Sequence, residues 1–250
     1  MTLGYEACRI YRDKLVTNEQ RTQFDGLLNQ LFNEEWKMSP LTPGGLLFTT
    51  CRSKKQGLVP VTLSEWDKIM RKTLEQYGRE NEPLDIEMLS ELQQTVVRAD
   101  RVLSNPDDRS LLLIGRSGVG RHTTIRLLSV MHHAQVMTPY PGRNYGRKQF
   151  INDLKLAMHA AGVDGDLVYF VLEDHHFTDA SFYAMIDSLL ASGEVPGMYS
   201  SEESGALLAP LKELAADEGY SGSLFSFYAQ RVRKRLRVIF VMDCAQTAYE

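Results

Sequence analysis

The feature that most constrains the fold is an apolar run that ends in a glycine-rich turn and continues into a helix. The run reads LLLIGRSGVGRHTT and spans residues 111–124. Glycine tolerates positive φ, so the glycines of the turn allow successive backbone N–H groups to surround a phosphate. The N-terminus of the next helix adds unpaired N–H groups and the positive end of its dipole. The segment therefore predicts a strand, a phosphate-binding loop and a helix.

Two positions of this loop depart from the usual pattern G-x-x-x-x-G-K-[ST]. Arg121 replaces the lysine, and His122 replaces the hydroxyl residue. Arg121 keeps the positive charge on a longer, planar group, whereas His122 lacks the hard oxygen that Mg²⁺ prefers. An ordinary glycine turn between a strand and a helix is the alternative. The predicted phosphate-binding residues are Gly115, Arg116, Ser117, Gly118, Val119, Gly120, Arg121, His122 and Thr123.

Acidic residues end two later apolar strands. The run LVYFVL, residues 167–172, is continuously apolar, as expected of a strand covered on both faces, and Glu173 and Asp174 follow it. The run LRVIFVMD ends at Asp243. Two acids after a buried strand are typical of ATPases, where one binds Mg²⁺ and the other orients water. Their order is reversed here, and a third acid adds repulsion near a triphosphate. Two solvated acids in a loop are the alternative.

The rest of the chain predicts helices first and a parallel sheet later. Residues 5–16 and the stripe from Phe24 to Phe32 read as helices, the second with a capping box at Thr17 and Gln20. Prolines and glycines within 37–62 indicate a linker with one or two short strands. Two more amphipathic helices follow. From residue 109 strands and helices alternate, which favours βαβ units. The fold class is therefore α/β, a doubly wound parallel sheet preceded by a helical segment.

Composition excludes several classes of protein. The chain has 250 residues, an ordinary apolar content and a net charge of -4, so nothing indicates nucleic-acid binding. Its three cysteines are widely spaced, which fits a reducing compartment rather than a disulfide framework. No apolar run approaches the ~20 residues that a membrane span needs, and the N-terminus does not resemble a signal peptide.

Two remaining clusters predict little chemistry. The adjacent pairs His132–His133 and His175–His176 lack the spacing of a helical metal site and have no cysteine nearby in the sequence, so zinc is disfavoured. The basic cluster Arg231, Arg233, Lys234 and Arg235 is interpreted as the solvated end of a helix. A targeting signal is the weaker alternative. No arrangement of a Ser or Cys nucleophile can be argued.

The order of these motifs resembles the dynein heavy chains, from the end of their third AAA+ module through most of the fourth. The resemblance covers nearly the whole chain. The most specific motif is SGEVPG at 192–197, because of its spacing after the acidic strand end. The loop and the Glu-Asp order look closest to the cytoplasmic dynein 2 branch, which drives retrograde intraflagellar transport. The motifs that follow in dynein order are YEACRIYRDKLV, GRSGVGRHTT, NYGRKQFINDLKLAMHAAG, LVYFVLEDHHF and FYAMIDSLLASGEVPGMYSSEE.

The resemblance implies a domain plan. Residues 1–36 would close the small helical subdomain of a preceding module, and 37–108 would be a linker and the N-terminal helices of the next. Residues 109–250 would be a P-loop AAA+ α/β subdomain, truncated after its fourth core strand. The family's sheet order is 5-1-4-3-2, so the strand at 111–114 would be an apolar open edge, which is an aggregation hazard. We therefore expect a fragment without motor activity of its own.

The resemblance also implies roles for the site. Loop glycines and Arg121 would bind the phosphates of ATP or ADP, Glu173 would bind Mg²⁺, Asp174 would orient water and Asp243 would sense the γ-phosphate. The substitutions put hydrolysis in doubt but not the family. Implied partners are other AAA+ modules of the same heavy chain, dynein intermediate and light chains, and the microtubule through absent parts. The implied location is the cytoplasm, the cytoskeleton and the cilium or flagellum.

Three functions stay open from the sequence. The first is a regulatory nucleotide-binding module of a microtubule motor. The second is an independently active P-loop ATPase or GTPase, which His122 and Asp174 argue against. The third is a structural ring segment without nucleotide, for which Arg121 and Asp243 are the best arguments. Magnesium-dependent nucleotide binding separates the first from the third, and turnover separates the first from the second.

Overall fold

The fold is described from a computed structural model of the chain. It describes residues 2–37, 46–52, 57–105, 110–140, 142 and 145–244. Most of the proline- and glycine-rich part of the predicted linker, 38–45, lies outside the described residues, and so does Arg109 at the start of the predicted α/β subdomain.

Helices and strands follow the predicted order. The α-helices are α1 Thr2–Ile10, α2 Asn18–Trp36, α3 Leu63–Glu80, α4 Ser90–Ser104, α5 Arg121–His132, α6 Arg147–His159, α7 Ala180–Ser192, α8 Ser201–Leu208, α9 Leu211–Asp217 and α10 Leu224–Arg235. The strands are β1 Leu46–Thr49, β2 Val59–Thr62, β3 Ser110–Gly115, β4 Gln135–Met137, β5 Val168–Glu173 and β6 Leu236–Asp243.

Local capping signals set several helix starts. Thr17 with Gln20 forms the predicted capping box at the start of α2, and equivalent boxes open α3 and α8. The first predicted helix is shorter than the expected 5–16, because α1 ends at Ile10 and a 3₁₀ turn follows. That turn brings the Arg12 Nε within 2.7 Å of a carboxylate oxygen of Asp25 on α2.

The main sheet is parallel and has the strand order β3-β6-β5-β4. This order matches the 1-4-3-2 part of the expected AAA+ sheet, and β3 lies at its edge, as predicted. Gly115 pairs in register with Asp243, so the glycine-rich loop begins beside the carboxyl end of β6. β1 and β2 form a separate antiparallel pair, which confirms the short strands predicted in the linker.

Two hydrophobic clusters cover the faces of this sheet. Alternate residues of β5 divide between them: Phe170 and Leu172 pack with α6, α7 and α10, whereas Tyr169 and Val171 pack with α3, α4 and α5. This two-sided burial explains the continuously apolar sequence of β5. In contrast, Leu112 and Ile114 of the edge strand are 54% and 53% exposed.

The N-terminal helices contact the segment that follows them. The Tyr5 ring stacks on Phe48 of β1 with centroids 4.5 Å apart, and Glu6 pairs with Arg101 of α4. The division of the chain at residue 36 stays a prediction. Among the described residues, no helix combines the length and the apolar character that a membrane span requires.

Candidate functional site

A pocket lies between the glycine-rich loop and the carboxyl ends of β5 and β6. Its volume is about 410 Å³. It brings the glycine-rich loop next to the acids at the ends of β5 and β6, which lie about fifty or more positions later in the sequence. The lining residues are Ser117, Gly118, Gly120, Arg121, His122, Thr123, Glu173, Asp174, His175, Val241 and Asp243.

The loop has the backbone geometry that its glycines predict. Gly118 has φ +87° and Gly120 has φ +86°, and Gly120 is the residue that precedes the first turn of α5. Both values lie in the left-handed region that favours glycine. Gly115, Arg116 and Val119 belong to the loop but do not line the pocket. Loop amides and the N-terminus of α5 together suit an anion.

The Arg121 side chain is engaged with the protein. Its guanidinium donates to the backbone carbonyl of Met242, and its Nη2 lies 4.0 Å from a carboxylate oxygen of Asp243. Only 12% of the side chain is exposed. Arg121 therefore lines the pocket with its charge directed toward the end of β6, and a phosphate would compete with these two partners.

His122 faces the acid that the sequence predicts as the metal ligand. Its Nε2 lies 3.4 Å from a carboxylate oxygen of Glu173, with 49% of the His122 side chain and 28% of the Glu173 side chain exposed. The first turn of α5 and the end of β5 supply the two residues. The Glu173 carboxylate therefore has an imidazole neighbour where the usual loop pattern would supply a hydroxyl.

Asp174 holds the ends of two strands together. Its Oδ2 accepts a hydrogen bond of 2.7 Å from the backbone N–H of Asp243. A short 3₁₀ turn begins at Asp174, directly after β5. The predicted water-orienting acid and the predicted γ-phosphate sensor thus lie in one pocket, and the backbone of one contacts the carboxylate of the other.

Sequence reasoning missed His175 and Val241 in the lining, and it missed the position of His176. The Nδ1 of buried His176 accepts a 2.9 Å hydrogen bond from the Glu173 N–H, and burial lowers its pKa. Glu173, His175 and His176 place possible metal-ligand atoms within 4.8 Å of one another. Because His176 Nδ1 accepts that hydrogen bond and the ring also hydrogen-bonds the backbone of Pro139, this trio is a poor metal site as it stands.

A second polar cluster, which we call the Asp100 network, lies at the other end of α5. His132 Nε2 is 2.8 Å from Asp100 Oδ1, and His132 Nδ1 contacts the Tyr169 hydroxyl. Thr49 and Thr50 donate to the same carboxylate from the end of β1. Asp100 is completely buried. Burial alone would raise the pKa of Asp100, but hydrogen bonds and the charge of His132 lower it to about 2.

Cys51 also belongs to the Asp100 network. Its Sγ lies 3.7 Å from His132 Nε2, so the fold supplies the cysteine that the sequence near the histidine pair lacks. Cys51, Asp100 and His132 offer possible metal-ligand atoms within 4.8 Å of one another. Burial, with the Asp100 charge, raises the pKa of the Cys51 thiol to about 12, which disfavours the thiolate that binds metals or attacks substrates. The cluster therefore acts as a structural network.

The predicted solvation of the basic cluster is wrong for Arg231, whose side chain is 13% exposed, whereas Arg233, Lys234 and Arg235 are exposed as predicted. Arg231 donates from Nε to the carbonyl of Gly162 at 2.6 Å, and Arg235 donates to the carbonyl of Gly165. These carbonyls belong to the turn after α6, where helix geometry leaves them without intrahelical partners. The two arginines therefore bind backbone groups of a distant turn rather than water alone.

The fold and the pocket define a class of protein. A parallel sheet covered by helices on both faces, with a glycine-rich loop running from an edge strand into a helix, is a P-loop α/β domain. The loop opens at the carboxyl ends of the strands, where such sheets place their ligands.

Comparison with known sequences gives the family. Residues 84–250 match the family described as the P-loop containing dynein motor region D4. The chain belongs to this family of dynein heavy-chain motor regions. The resemblance predicted from the motifs is thereby confirmed.

Individual relatives cover nearly all of the chain. It is 40% identical over 99% of its length to cytoplasmic dynein 2 heavy chain 1 of Tripneustes gratilla. The human protein of the same name is 38% identical over 99% of the chain, and that of Chlamydomonas reinhardtii is 34% identical over 96%. The chain spans about 6% of the length of each of these relatives.

Proposed function

We propose that the pocket binds the phosphates of ATP or ADP and that the chain is a regulatory nucleotide-binding module of a dynein motor ring. The observation that carries this proposal is the loop itself. Gly118 and Gly120 take positive φ directly before α5, at the mouth of a pocket of about 410 Å³. Backbone amides at a helix N-terminus bind phosphate without needing a particular side chain.

Weak or absent hydrolysis is the second part of the proposal. Orienting water requires a carboxylate that is free to accept its proton in the right geometry. Asp174 already accepts the Asp243 N–H at 2.7 Å and is one methylene shorter than glutamate. Arg121 donates to the Met242 carbonyl, so it would need to leave that partner to reach a phosphate. An independently active ATPase is therefore disfavoured.

The proposed cellular role rests on the resemblance of the motifs to the cytoplasmic dynein 2 branch. We propose that the module serves retrograde intraflagellar transport, in the cytoplasm and in the cytoskeleton of cilia or flagella. Its partners would be the other AAA+ modules of the same heavy chain, the intermediate and light chains, and the microtubule through other parts of the motor. Residues 1–36 would close the preceding small subdomain, 37–108 would lead into the module, and 109–250 would carry the nucleotide.

A structural ring segment without nucleotide is the second candidate. The specific observation in its favour is the engagement of Arg121 with Met242 and Asp243. If that arrangement is rigid, the loop would be a structural turn, and nucleotide chemistry would be confined to neighbouring modules.

Thermal unfolding of the purified chain with and without nucleotide separates the two candidates. A ligand at a hundredfold excess over its Kd stabilises the folded state by about 2.7 kcal/mol, or roughly 5–10 °C for a chain of this size. We expect that shift with ADP or ATP, and we expect Gly120→Asp to abolish it by placing a carboxylate at the anion site.

The matched control is Gly219→Asp, since Gly219 also has positive φ, +64°, and lies outside the pocket with open space around it. This variant should keep the full shift although it also places an aspartate at a position with positive φ. A folded wild-type chain that shows no shift would refute nucleotide binding and leave the structural segment as the function.

A further inference from the structure

The groups in the pocket that would hold Mg²⁺ already have protein partners. Mg²⁺ requires oxygen ligands in nearly octahedral geometry and discriminates against imidazole. His122 brings an imidazole nitrogen to 3.4 Å from Glu173, and Asp174 accepts a backbone N–H at 2.7 Å. The side chains present therefore do not fit a magnesium site.

The balance of charge in the pocket bears on which nucleotide it takes. Glu173, Asp174 and Asp243 bring three carboxylates to the lining, beside the cationic Arg121 and the imidazole of His122. Without a divalent cation, each additional phosphate adds negative charge near these carboxylates, and like charges at short range repel strongly. A diphosphate meets less of this repulsion than a triphosphate.

From these contacts we infer that the pocket holds a nucleoside diphosphate without Mg²⁺, with the His122–Glu173 pair in place of the cation. This inference rests on the proposed nucleotide binding and specifies its ligand. The loop amides and the N-terminus of α5 bind the phosphates. His122 Nε2 lies 3.4 Å from the Glu173 carboxylate, and His122 occupies the position where the usual loop pattern supplies a hydroxyl for the cation.

The test is calorimetric titration of the purified chain with ADP, in EDTA and in millimolar MgCl₂. We expect Mg²⁺ not to tighten binding. The apparent Kd for ADP in MgCl₂ should be equal to or higher than the Kd in EDTA, because Mg²⁺ in solution competes for the diphosphate. In EDTA, ATP should bind at least about threefold more weakly than ADP, because of its additional charge.

A single substitution tests the inference, because it should make nucleotide binding depend on Mg²⁺. His122→Thr removes the imidazole and supplies the hydroxyl that the usual loop pattern places there. We expect Mg²⁺ to tighten nucleotide binding by this variant by about tenfold or more. The control is His159→Thr, since His159 pairs with Asp164 at 3.2 Å on the surface, with 50% of its side chain exposed. Like the wild-type chain, this variant should bind ADP no more tightly with Mg²⁺ than without it.

The outcomes separate this inference from the proposed function. ADP binding that requires Mg²⁺ in the wild-type chain would overturn the inference and leave nucleotide binding intact. ATP that binds more tightly than ADP in EDTA would also overturn it, and so would a His122→Thr variant whose nucleotide binding Mg²⁺ does not tighten. Absence of ADP binding in both buffers would refute the proposed function and the inference with it.

Discussion

Helix α5 carries a histidine–carboxylate pair at each end, and the two pairs differ in almost every physical respect. His122 and Glu173 are 3.4 Å apart, and their side chains are 49% and 28% exposed. His132 and Asp100 are 2.8 Å apart, and their side chains are 10% and 0% exposed. One pair faces an open pocket and has few other partners, whereas the other is fixed by several hydroxyl groups.

This difference shows what each pair can do. A buried carboxylate needs hydrogen bonds for its lone pairs, and Asp100 obtains them from Thr49, Thr50, Ser104 and His132. Such a network stabilises one arrangement and leaves no place for a ligand. The exposed pair costs little to rearrange, so a ligand can use it. The C-terminal end of α5 therefore contributes to stability, whereas its N-terminal end is available for binding.

Removing Asp100 should have the largest effect. Asp100→Ala leaves His132 and the surrounding hydroxyl groups without their shared acceptor, and breaking a buried pair of this kind costs about 3–5 kcal/mol. The measurement is urea unfolding of the purified chain. The matched variant Asp164→Ala, which removes the surface partner of His159, should cost less than about 1 kcal/mol. Equal losses in the two variants would mean that the buried Asp100 network stabilises the fold no more than a surface pair does.

The second largest effect should be a loss of folding stability in acid, through protonation of Asp100. The pKa of Asp100 is about 2 in the folded chain, against an ordinary value of 3.8. Because the folded pKa is the lower one, the stabilisation is complete above the ordinary value and is lost as pH falls toward 2. The loss is about 2–3 kcal/mol by linkage.

Urea unfolding at about pH 5 and about pH 2 measures this dependence. Asp100→Asn lacks the titrating group, so its stability should fall less than that of the wild-type chain between the two conditions. Identical losses in the two proteins would assign the acid sensitivity to other carboxylates.

The exposed pair should show the smallest effect. His122→Ala is expected to change the free energy of unfolding by less than about 1 kcal/mol, because half of the side chain is exposed and the pair is screened by solvent. His132→Ala, at the other end of the same helix, should cost clearly more in the same urea titration. A His122→Ala loss as large as that of His132→Ala would contradict the comparison.

The sequence predicted those parts of the fold that depend on neighbouring residues. Capping residues such as Thr17 and Gln20 act within one helical turn, and the continuously apolar composition of 167–172 indicates that this strand is buried. The glycine-rich loop and the acids at the ends of β5 and β6 were likewise readable, because parallel strands bring their carboxyl ends to one edge. The family resemblance supplied the strand order.

The parts that the sequence did not predict depend on contacts between distant segments. Cys51, Asp100 and His132 are brought together from the turn after β1, from α4 and from α5, and no spacing rule connects them. Arg231 looked solvated because its carbonyl partner belongs to a turn 69 positions earlier. The pairing of His122 with Glu173 needed the geometry of the pocket, although both residues were singled out as unusual.

Hydrogen–deuterium exchange of the purified chain with and without ADP tests the central claim most directly. We predict that ADP slows exchange in residues 115–124, whose loop amides would bind the phosphates, while residues 129–132 at the other end of α5 exchange slowly with or without it. Unchanged exchange in 115–124 at saturating ADP would contradict the account. Exchange at 129–132 as fast as in the loop would remove the contrast between the two ends of α5.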